Sequence, residues 1–364
     1  MTADLLRTRF SQARASGLRA KNAAQAIGCS EGAAIAAHLG QHQQPLRAVA
    51  LQTQWLDILR ALQACGPVLA LTRNESTVHE KTGIYQNLSA TGPVGLALSE
   101  DIDLRLFFMH WHAGFAVTED SANPDSPATL SLQFYDASGL ALHKVFCRDN
   151  SDRTAFQAVM QRFAAPALQP SFSAKAASAP ALPDSAIDSA ALLASWAAMQ
   201  DTHDFFGLLK KHRAERQQSL RLAEGHFTRR APAQTLRQLL QAAASGGEPI
   251  MVFVGSPGCI QIHTGPLHRV EAREVAGQPW LNVLDPGFNL HLREDAIASV
   301  WVVEKPTSDG IVTSIEAFDH DGELMAMFFG ARKPGQPERA DWRTLVTKAT
   351  AQAAAARTAE TEAA

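Results

Sequence analysis

Over residues 1–64 apolar positions recur at helical spacing, and the stretch AAQAIGCSEGAAIAAHLG breaks at Gly28-Cys29-Ser30, where Ser30 and Glu31 can open a second helix. The pair predicts a helix-turn-helix. From Gly66 to about Arg148 the period shortens to two, in runs of β-branched, aliphatic and aromatic residues separated by turn signals: VLALTRN, STVHE, IDLRLFF, HAGFAVTE, LSLQFYD and LALHKVFC. These predict a mostly antiparallel sheet, with a helix over about Asp152 to Phe163 behind it. APALQPSFSAKAASAPALPDSA then supplies Pro, Ala and Ser with few large apolar residues, which reads as a linker. Helices are predicted again from about 187 to 245, strands from Ile250 to Arg332, and a short helix from Trp342 to Thr347. The end, ATAQAAAARTAETEAA, is low in complexity and expected to fray.

Helices, sheet and closing helix thus occur twice, and local words match about 180 residues apart. DLRLF (103–107) aligns with NLHLR (289–293), and HEKTGIYQN with QIHTGPLHR through Gly83 and Gly265. FYDASGLALHKVF aligns with FDHDGELMAMFF, whose Asp319 and Gly322 lie 183 residues after Asp136 and Gly139. The expected architecture is an α+β tandem duplication, each half a large antiparallel β-sheet with helices packed against it. Its parts are an N-terminal repeat (1–165), a linker (166–186), a C-terminal repeat (187–348) and a tail (349–364).

Composition narrows the function classes. The chain has 364 residues, 46% hydrophobic and 19% charged, with a net charge of −3, an ordinary globular balance without the basic excess of a polyanion binder. The start, MTADLLRTRFSQARASGLRAK, lacks the apolar core of a signal peptide and no stretch has the length of a membrane span, so a cytoplasmic protein without stable membrane insertion is expected. Cys29, Cys65, Cys147 and Cys259 are far apart, which argues against a zinc ribbon, a thioredoxin site or covalent c-type haem and for reduced thiols.

Four features offer chemistry. In MQDTHDFFGLLKKH, helical spacing puts His203 on a stripe with Leu192, Trp196, Met199, Phe206 and Lys210, so the ring is either a buried core histidine or a covered ligand. His110 and His112, flanking Trp111, would face one way on a strand and are either a partial divalent-metal site or two strand histidines. Arg105 shares a strand face with Asp103 and Phe107, opposite Ile102, Leu104 and Leu106, as a surface ion pair or a functional cation. Arg14, Arg19 and Lys21 beside the predicted helix-turn-helix make a regulatory nucleic-acid-binding module the rival from another class. GSPGC reads as a turn between strands, since no Lys-Ser or Lys-Thr follows, and no G-x-S-x-G, H-E-x-x-H or G-x-G-x-x-G is present.

The stretches ALTRNESTVHEKTGIYQN, EDIDLRLFFMHW, SLQFYDASGLALHKV, DTHDFFGLLKKH, VFVGSPGCIQIHTG, WLNVLDPGFNLHLRE, VWVVEKPTSDGIVTSIEAFD and FFGARKPGQPE, in that order, make the chain resemble the HemS/ChuS-type haem-handling proteins, or hemin-degrading factors, of Gram-negative bacteria. The resemblance spans nearly the whole chain. It implies two pseudo-equivalent halves and one haem (iron protoporphyrin IX) held using both. It makes His203 the axial ligand of the haem iron, in apolar surroundings of Trp196, Met199 and Phe206, and Arg105 the distal residue, able to hold a water on the iron or stabilise charge during oxidation. It assigns the propionates to Arg216, Lys305 and Arg332. Where relatives tend to carry tyrosines, this chain has Ala326, Met327, Phe328 and Phe329, which lose phenol hydrogen bonds but keep stacking. In the first half, Trp55-Leu56-Asp57-Ile58-Leu59 takes the region equivalent to the His203 helix and offers no histidine, against a second haem site. The implied role is to accept imported haem for trafficking or storage, with an inner-membrane haem ABC importer as source. Oxidative haem degradation with iron release is a further implied activity, and it needs an unidentified external reductase because no flavin or nicotinamide motif is present.

Overall fold

The computed structural model describes residues 2–175, 180–333 and 335–363, with side chains described as far as 356. The chain forms two compact units: residues 1–73, 79–176 and 255–261 make unit 1, and residues 74–78, 177–254 and 262–364 make unit 2. The first repeat runs α1 (Ala3–Ala15), α2 (Ala20–Ala26), α3 (Glu31–Ala36), β1 (Leu46–Ala50), α4 (Trp55–Ala61), β2 (Val68–Arg73), β3 (Thr77–Gly83), β4 (Leu88–Thr91), β5 (Val94–Leu98), β6 (Asp103–Phe107), β7 (Ala113–Glu119), β8 (Thr129–Tyr135), β9 (Ala141–Phe146) and α5 (Arg153–Arg162). The second repeats that order: α6 (Ser189–Ala197), α7 (Asp204–His212), α8 (Arg216–Leu222), β10 (Thr228–Ala231), α9 (Thr235–Gly246), β11 (Ile250–Ser256), β12 (Cys259–Gly265), β13 (Val270–Val275), β14 (Gln278–Asp285), β15 (Phe288–Arg293), β16 (Ser299–Thr307), β17 (Gly310–Phe318), β18 (Leu324–Gly330) and α10 (Ala340–Ala363). The duplication expected from the aligned words is the architecture of the molecule.

In unit 1 the antiparallel strands lie in the order β1-β7-β8-β9-β2; in unit 2 their equivalents lie in the order β10-β16-β17-β18-β11. Both faces are covered, which is why the central strands carry nearly continuous apolar runs. On β7, Phe115 and Val117 meet Phe10, Ala34 and Ile35 from α1 and α3, while Ala116 turns to the layer of Trp55, Ile58 and Phe156 from α4 and α5. On β16, Trp301 and Val303 meet Leu192, Trp196, Phe205 and Leu220 from α6–α8, while Val300 and Val302 meet Leu239 of α9 and Trp342 of α10. Period-two alternation therefore chooses between two cores rather than between core and water.

The duplication holds at atomic detail in the aligned turns. Asp136 Oδ1 accepts from the Ser138 and Leu140 amides, and Asp319 Oδ1 from the Asp321 and Glu323 amides. Gly139 and Gly322 close these turns at φ 83° and 79°, a left-handed conformation that a Cβ would strain. A second pair is reciprocal: Asn74 Nδ2 donates to the Met325 carbonyl at 2.8 Å within unit 2, and Ser256 Oγ to the Leu142 carbonyl at 2.8 Å within unit 1. Pro257-Gly258 forms the expected turn between β11 and β12.

Several expectations change. The short strands β1, β4, β5 and β10 lie in segments read as helix or turn, because four or five residues rich in Ala, Gly, Ser or Arg carry too little alternation to register. The short helix at Trp342 and the fraying end are one helix, α10, continuing through the alanine-rich stretch to Ala363, as the helix propensity of alanine favours; Ala364 lies outside the described residues. In the linker, residues 176–179 lie outside the described residues, while Phe172 packs against the α1–α3 layer. Element order makes α2, not the Trp55 helix, the equivalent of α7: the equivalent of α4 is α9. The sequence of α2, AKNAAQA, contains no histidine either.

Candidate functional site

Helix α6 stops at Ala197 and α7 opens only at Asp204, so no continuous stripe runs from Leu192 to Lys210. Two aspartates cause the break. Asp204 Oδ2 accepts from the Gln200 and Asp201 amides at 3.1 and 3.0 Å, and Asp201 Oδ1 accepts from the His203 amide at 2.8 Å; such local bonds compete with helix. Trp196 and Met199 are consequently core residues, 0% and 4% exposed, and not part of a ligand face. The His203 side chain is 87% exposed and Phe206 is 78% exposed, while Phe205 takes the buried position. The buried-histidine reading is overturned: the ring stands in the open at the N-terminus of α7.

Its orientation is fixed nonetheless. His203 Nδ1 lies 2.6 Å from Asp201 Oδ1, and the Asp201 carboxyl is held below its usual range, first by the His203 amide it accepts from and then by the ring itself. An ionised carboxylate can only accept, which assigns the proton to Nδ1 and leaves the Nε2 lone pair outward. That is the tautomer and support a metal-ligating imidazole uses.

The same unit gathers the cations. Arg216, the first residue of α8, binds the buried Glu316 carboxylate through Nε and Nη2, both at 2.8 Å, and Nη2 also reaches Met327 Sδ at 3.0 Å. Lys305 Nζ donates to the same carboxylate at 2.8 Å, as does Ser314 Oγ at 3.1 Å. Burial pulls the Lys305 ammonium down and Glu316 and Arg216 act on it in opposite senses; the two cations hold the Glu316 carboxyl far below its usual range despite full burial. Arg216 and Lys305 stand 5.2 and 4.7 Å from the centre of the Phe205 ring, two residues from His203. Arg332 donates to the Gln336 carbonyl at 2.9 Å and to Asp309 at 3.4 Å, and its charge also favours ionised Asp201. Phe329 lies edge-on to Phe253, with Lys305 Nζ 5.9 Å from its centre. Phe328, 0% exposed, is buried in the opposite core, with Leu239 and Trp342. His203, Arg216, Lys305, Phe329 and Arg332 are thus brought into one unit, but Lys305, 2% exposed, is shielded behind its ion pair.

Arg105 belongs to unit 1. On β6 the buried Leu104 and Leu106 alternate with half-exposed Asp103 and Arg105, which pair with each other as the surface reading required. His110 closes a short 3-10 turn and His112 precedes β7, so they do not share a strand face; His112 Nε2 meets the Ser171 carbonyl at 2.9 Å and Trp111 is buried between them. Among the described residues no group of three or more His, Cys, Asp and Glu is placed to hold a metal ion. The cysteines are free thiols, and burial pushes Cys65 and Cys259 up to about 11 and about 12. The expected helix pair exists as α2 and α3, capped by Ser30 Oγ accepting from the Ala33 amide. Arg14, however, is bound to Glu119 at 2.6 Å, which removes one of the three cations the nucleic-acid reading used. Among the described residues no helix is long and apolar enough to cross a membrane.

The contacts of Asp201 with His203, and of Glu316 and Met327 with Arg216, are not foreseen by the sequence reading. Asp201 was legible as a carboxylate two residues before His203; Glu316 and Met327 reach Arg216 only through strand register, which local pattern does not carry.

Fold and site together define a class: a duplicated α+β protein whose second repeat combines an oriented, exposed histidine with a cation cluster. The family described as the haemin-degrading HemS/ChuX domain matches residues 28–163 and 213–349, so the chain belongs to that family. It is 37% identical over 333 residues to the hemin transport protein HmuS of Yersinia pestis, covering 91% of this chain and 93% of that one. Among solved structures it is similar to holo-PhuS, a heme-binding protein from Pseudomonas aeruginosa, with TM-score 0.88 and 46% identity over 95% of this chain and 98% of that one. It is also similar to the Escherichia coli O157:H7 heme degrading enzyme ChuS, with TM-score 0.85 and 34% identity over 95% and 99%.

Proposed function

We propose that this protein binds haem, with His203 Nε2 as the axial ligand of the iron, Phe206 against the macrocycle and Arg216 and Arg332 toward the propionates. One observation carries the reading: an exposed imidazole whose Nδ1 is engaged by Asp201 stands one helical turn before an exposed phenylalanine. Phe206 is left 78% exposed, so an apolar ring laid on it would take part of that surface out of water, a gain of at most about 1.5–3 kcal/mol, the value for full burial. The residues fit the group: an N-donor, an apolar contact and cations for two carboxylates. Lys305 acts from behind, by holding Glu316 with Arg216.

The names of the relatives span transport, binding and degradation, and they support haem handling. A cytoplasmic role in accepting imported haem from an inner-membrane ABC importer, for trafficking or storage, is the part of this reading that rests on the family resemblance alone. Oxidative degradation is the further activity, with bound haem supplying the redox-active iron and an external reductase the electrons. This chain's residues would bind, orient and shield. Arg105, distal by family resemblance, is tested separately: Arg105→Ala is expected to retain binding and alter the ferric-water spectrum.

The deciding experiment is a hemin titration of wild type and His203→Ala, followed by ascorbate in air with catalase present. Wild type should develop a sharp Soret band that His203→Ala shifts and weakens; identical spectra and affinity would remove His203 as ligand. Loss of the Soret band under reductant supports degradation, and its persistence supports carriage alone. Hemin binding with little salt dependence is expected; DNA affinity that collapses with added salt would instead revive the nucleic-acid reading.

A further inference from the structure

The two repeats place different charges at equivalent positions. The 183-residue offset that superposes the Asp136 and Asp319 turns pairs Ser131 with Ser314, Gln133 with Glu316 and Lys144 with Met327. Strand register agrees, since Gln133 stands opposite Lys144 and Glu316 opposite Met327. Glu31 opens α3 as Arg216 opens α8. In unit 1 this place is closed and neutral: Glu31 pairs with buried Lys144, and Gln133 bonds Ser131 Oγ and Tyr135 Oη. In unit 2 two cations share one carboxylate, so the cluster keeps one uncompensated positive charge. Arg216 spends Nε and Nη2 on Glu316, which leaves its Nη1 edge, on a side chain 28% exposed, to meet an incoming anion.

We propose that Glu316 is the positioning residue that gives unit 2 its selectivity for carboxylate-bearing ligands, by seating Arg216 in a two-point grip with Nη1 outward. This deepens, and rests on, the haem-binding reading. Seating replaces a search among arginine rotamers with one fixed orientation, so that the remaining Nη1 donors can meet a carboxylate without further ordering. The equivalent Gln133 shows that this fold tolerates glutamine at the position.

The test compares hemin with its dimethyl ester, which keeps the iron and the macrocycle but carries no carboxylate charge, and reads the ratio of their dissociation constants. Two variants are used: Lys305→Met with Glu316→Gln, which removes the buried ion pair as a unit, and Glu316→Asp, which keeps every charge but shortens the reach to Arg216. Each is expected to lower the selectivity for the free acid by about fivefold or more while ester affinity stays within about twofold of wild type. Circular dichroism and thermal melting establish that the variants are folded; Glu316→Asp keeps the charge balance of the cluster and carries the test if the double variant does not fold. An unchanged ratio in a folded variant overturns the proposal, as does an equal loss for both ligands, which is what a merely structural role produces. His203→Ala in the same titrations separates the two levels. If it binds both compounds as wild type does, the haem-ligand reading falls and this inference with it; if binding depends on His203 while the ratio is unmoved, only the role of Glu316 falls.

Discussion

Among the described residues the His203 ring makes one side-chain hydrogen bond, to Asp201, so its properties as a ligand should be separable from the stability of the fold. Asp201 fixes the Nδ1–H tautomer, and both side chains are exposed, at 87% and 59%. An exposed pair of this kind contributes little to folding, so Asp201→Asn is expected to leave stability within about 0.5 kcal/mol of wild type. An asparagine can rotate its amide to donate to Nδ1, which would move the imidazole proton to Nε2 and oppose metal ligation. Hemin affinity should therefore fall about tenfold, the usual scale for losing such a support. Thermal melting and a hemin titration check both halves; unchanged affinity would mean that the ring needs no help from Asp201. The sequence makes the pair visible as D-T-H, but its exposure was not visible, because two aspartates end a helix that apolar periodicity alone would continue.

Among elements, the α6–α7 pair shows why the break costs the fold nothing. Trp196 is fully buried, lies flat on Phe227 at 5.5 Å and edge-on to Phe205 at 4.7 Å, and donates its indole N–H to the Glu304 carbonyl at 2.9 Å. Phe205 in turn underlies Arg216 and Lys305. Trp196→Ala leaves a large cavity and a carbonyl without its partner, and should destabilise the protein by about 3–5 kcal/mol. The cavity also frees Phe205, so the variant is expected to bind hemin more weakly wherever it remains folded; denaturant unfolding and titration at low temperature measure the two effects. Elements with long, strongly periodic apolar runs, such as β7, β8 and β16, were legible in the sequence because burial on both faces demands such runs. β1, β4, β5 and β10 were not, since each is short and pairing with neighbouring strands supplies what pattern does not. The same limit hid Glu316: its partners come from α8 and β16, roughly 100 and 11 residues away, and only register brings them together.

Over the whole molecule the duplication was readable as three aligned words, one of which is kept because its turn needs the same aspartate and glycine in both repeats. What diverged is what the repeats bury, and this predicts how acid acts. Unit 1 buries His38 and His143, whose values burial lowers to about 4 and about 3; His143 accepts or donates to Thr72 Oγ1 at 2.9 Å and Tyr85 Oη at 2.6 Å, and at the aligned position unit 2 has Ala326. A depressed histidine value means that the folded state keeps the ring neutral while the unfolded chain takes up a proton near pH 6.5. Below that pH the unfolded state binds more protons, so stability falls by up to about 1.4 kcal/mol per pH unit for each histidine until the folded rings also protonate. Glu316 works in the other sense and lower: its depressed carboxyl contributes stability above the ordinary carboxylate range and loses it only as the pH drops beneath that range. Between pH 6.5 and 5 the histidines therefore dominate this balance, and the loss from pH 7 to 5 should be shallower in His143→Gln than in wild type by about 2 kcal/mol or less. Urea unfolding at the two pH values measures the difference, and hydrogen exchange at pH 5 should show β8 and β9 losing protection before β17 and β18. Equal pH dependence in wild type and His143→Gln would mean that the buried ring titrates alike in both states, with its bonds to Thr72 and Tyr85 compensating for lost solvation.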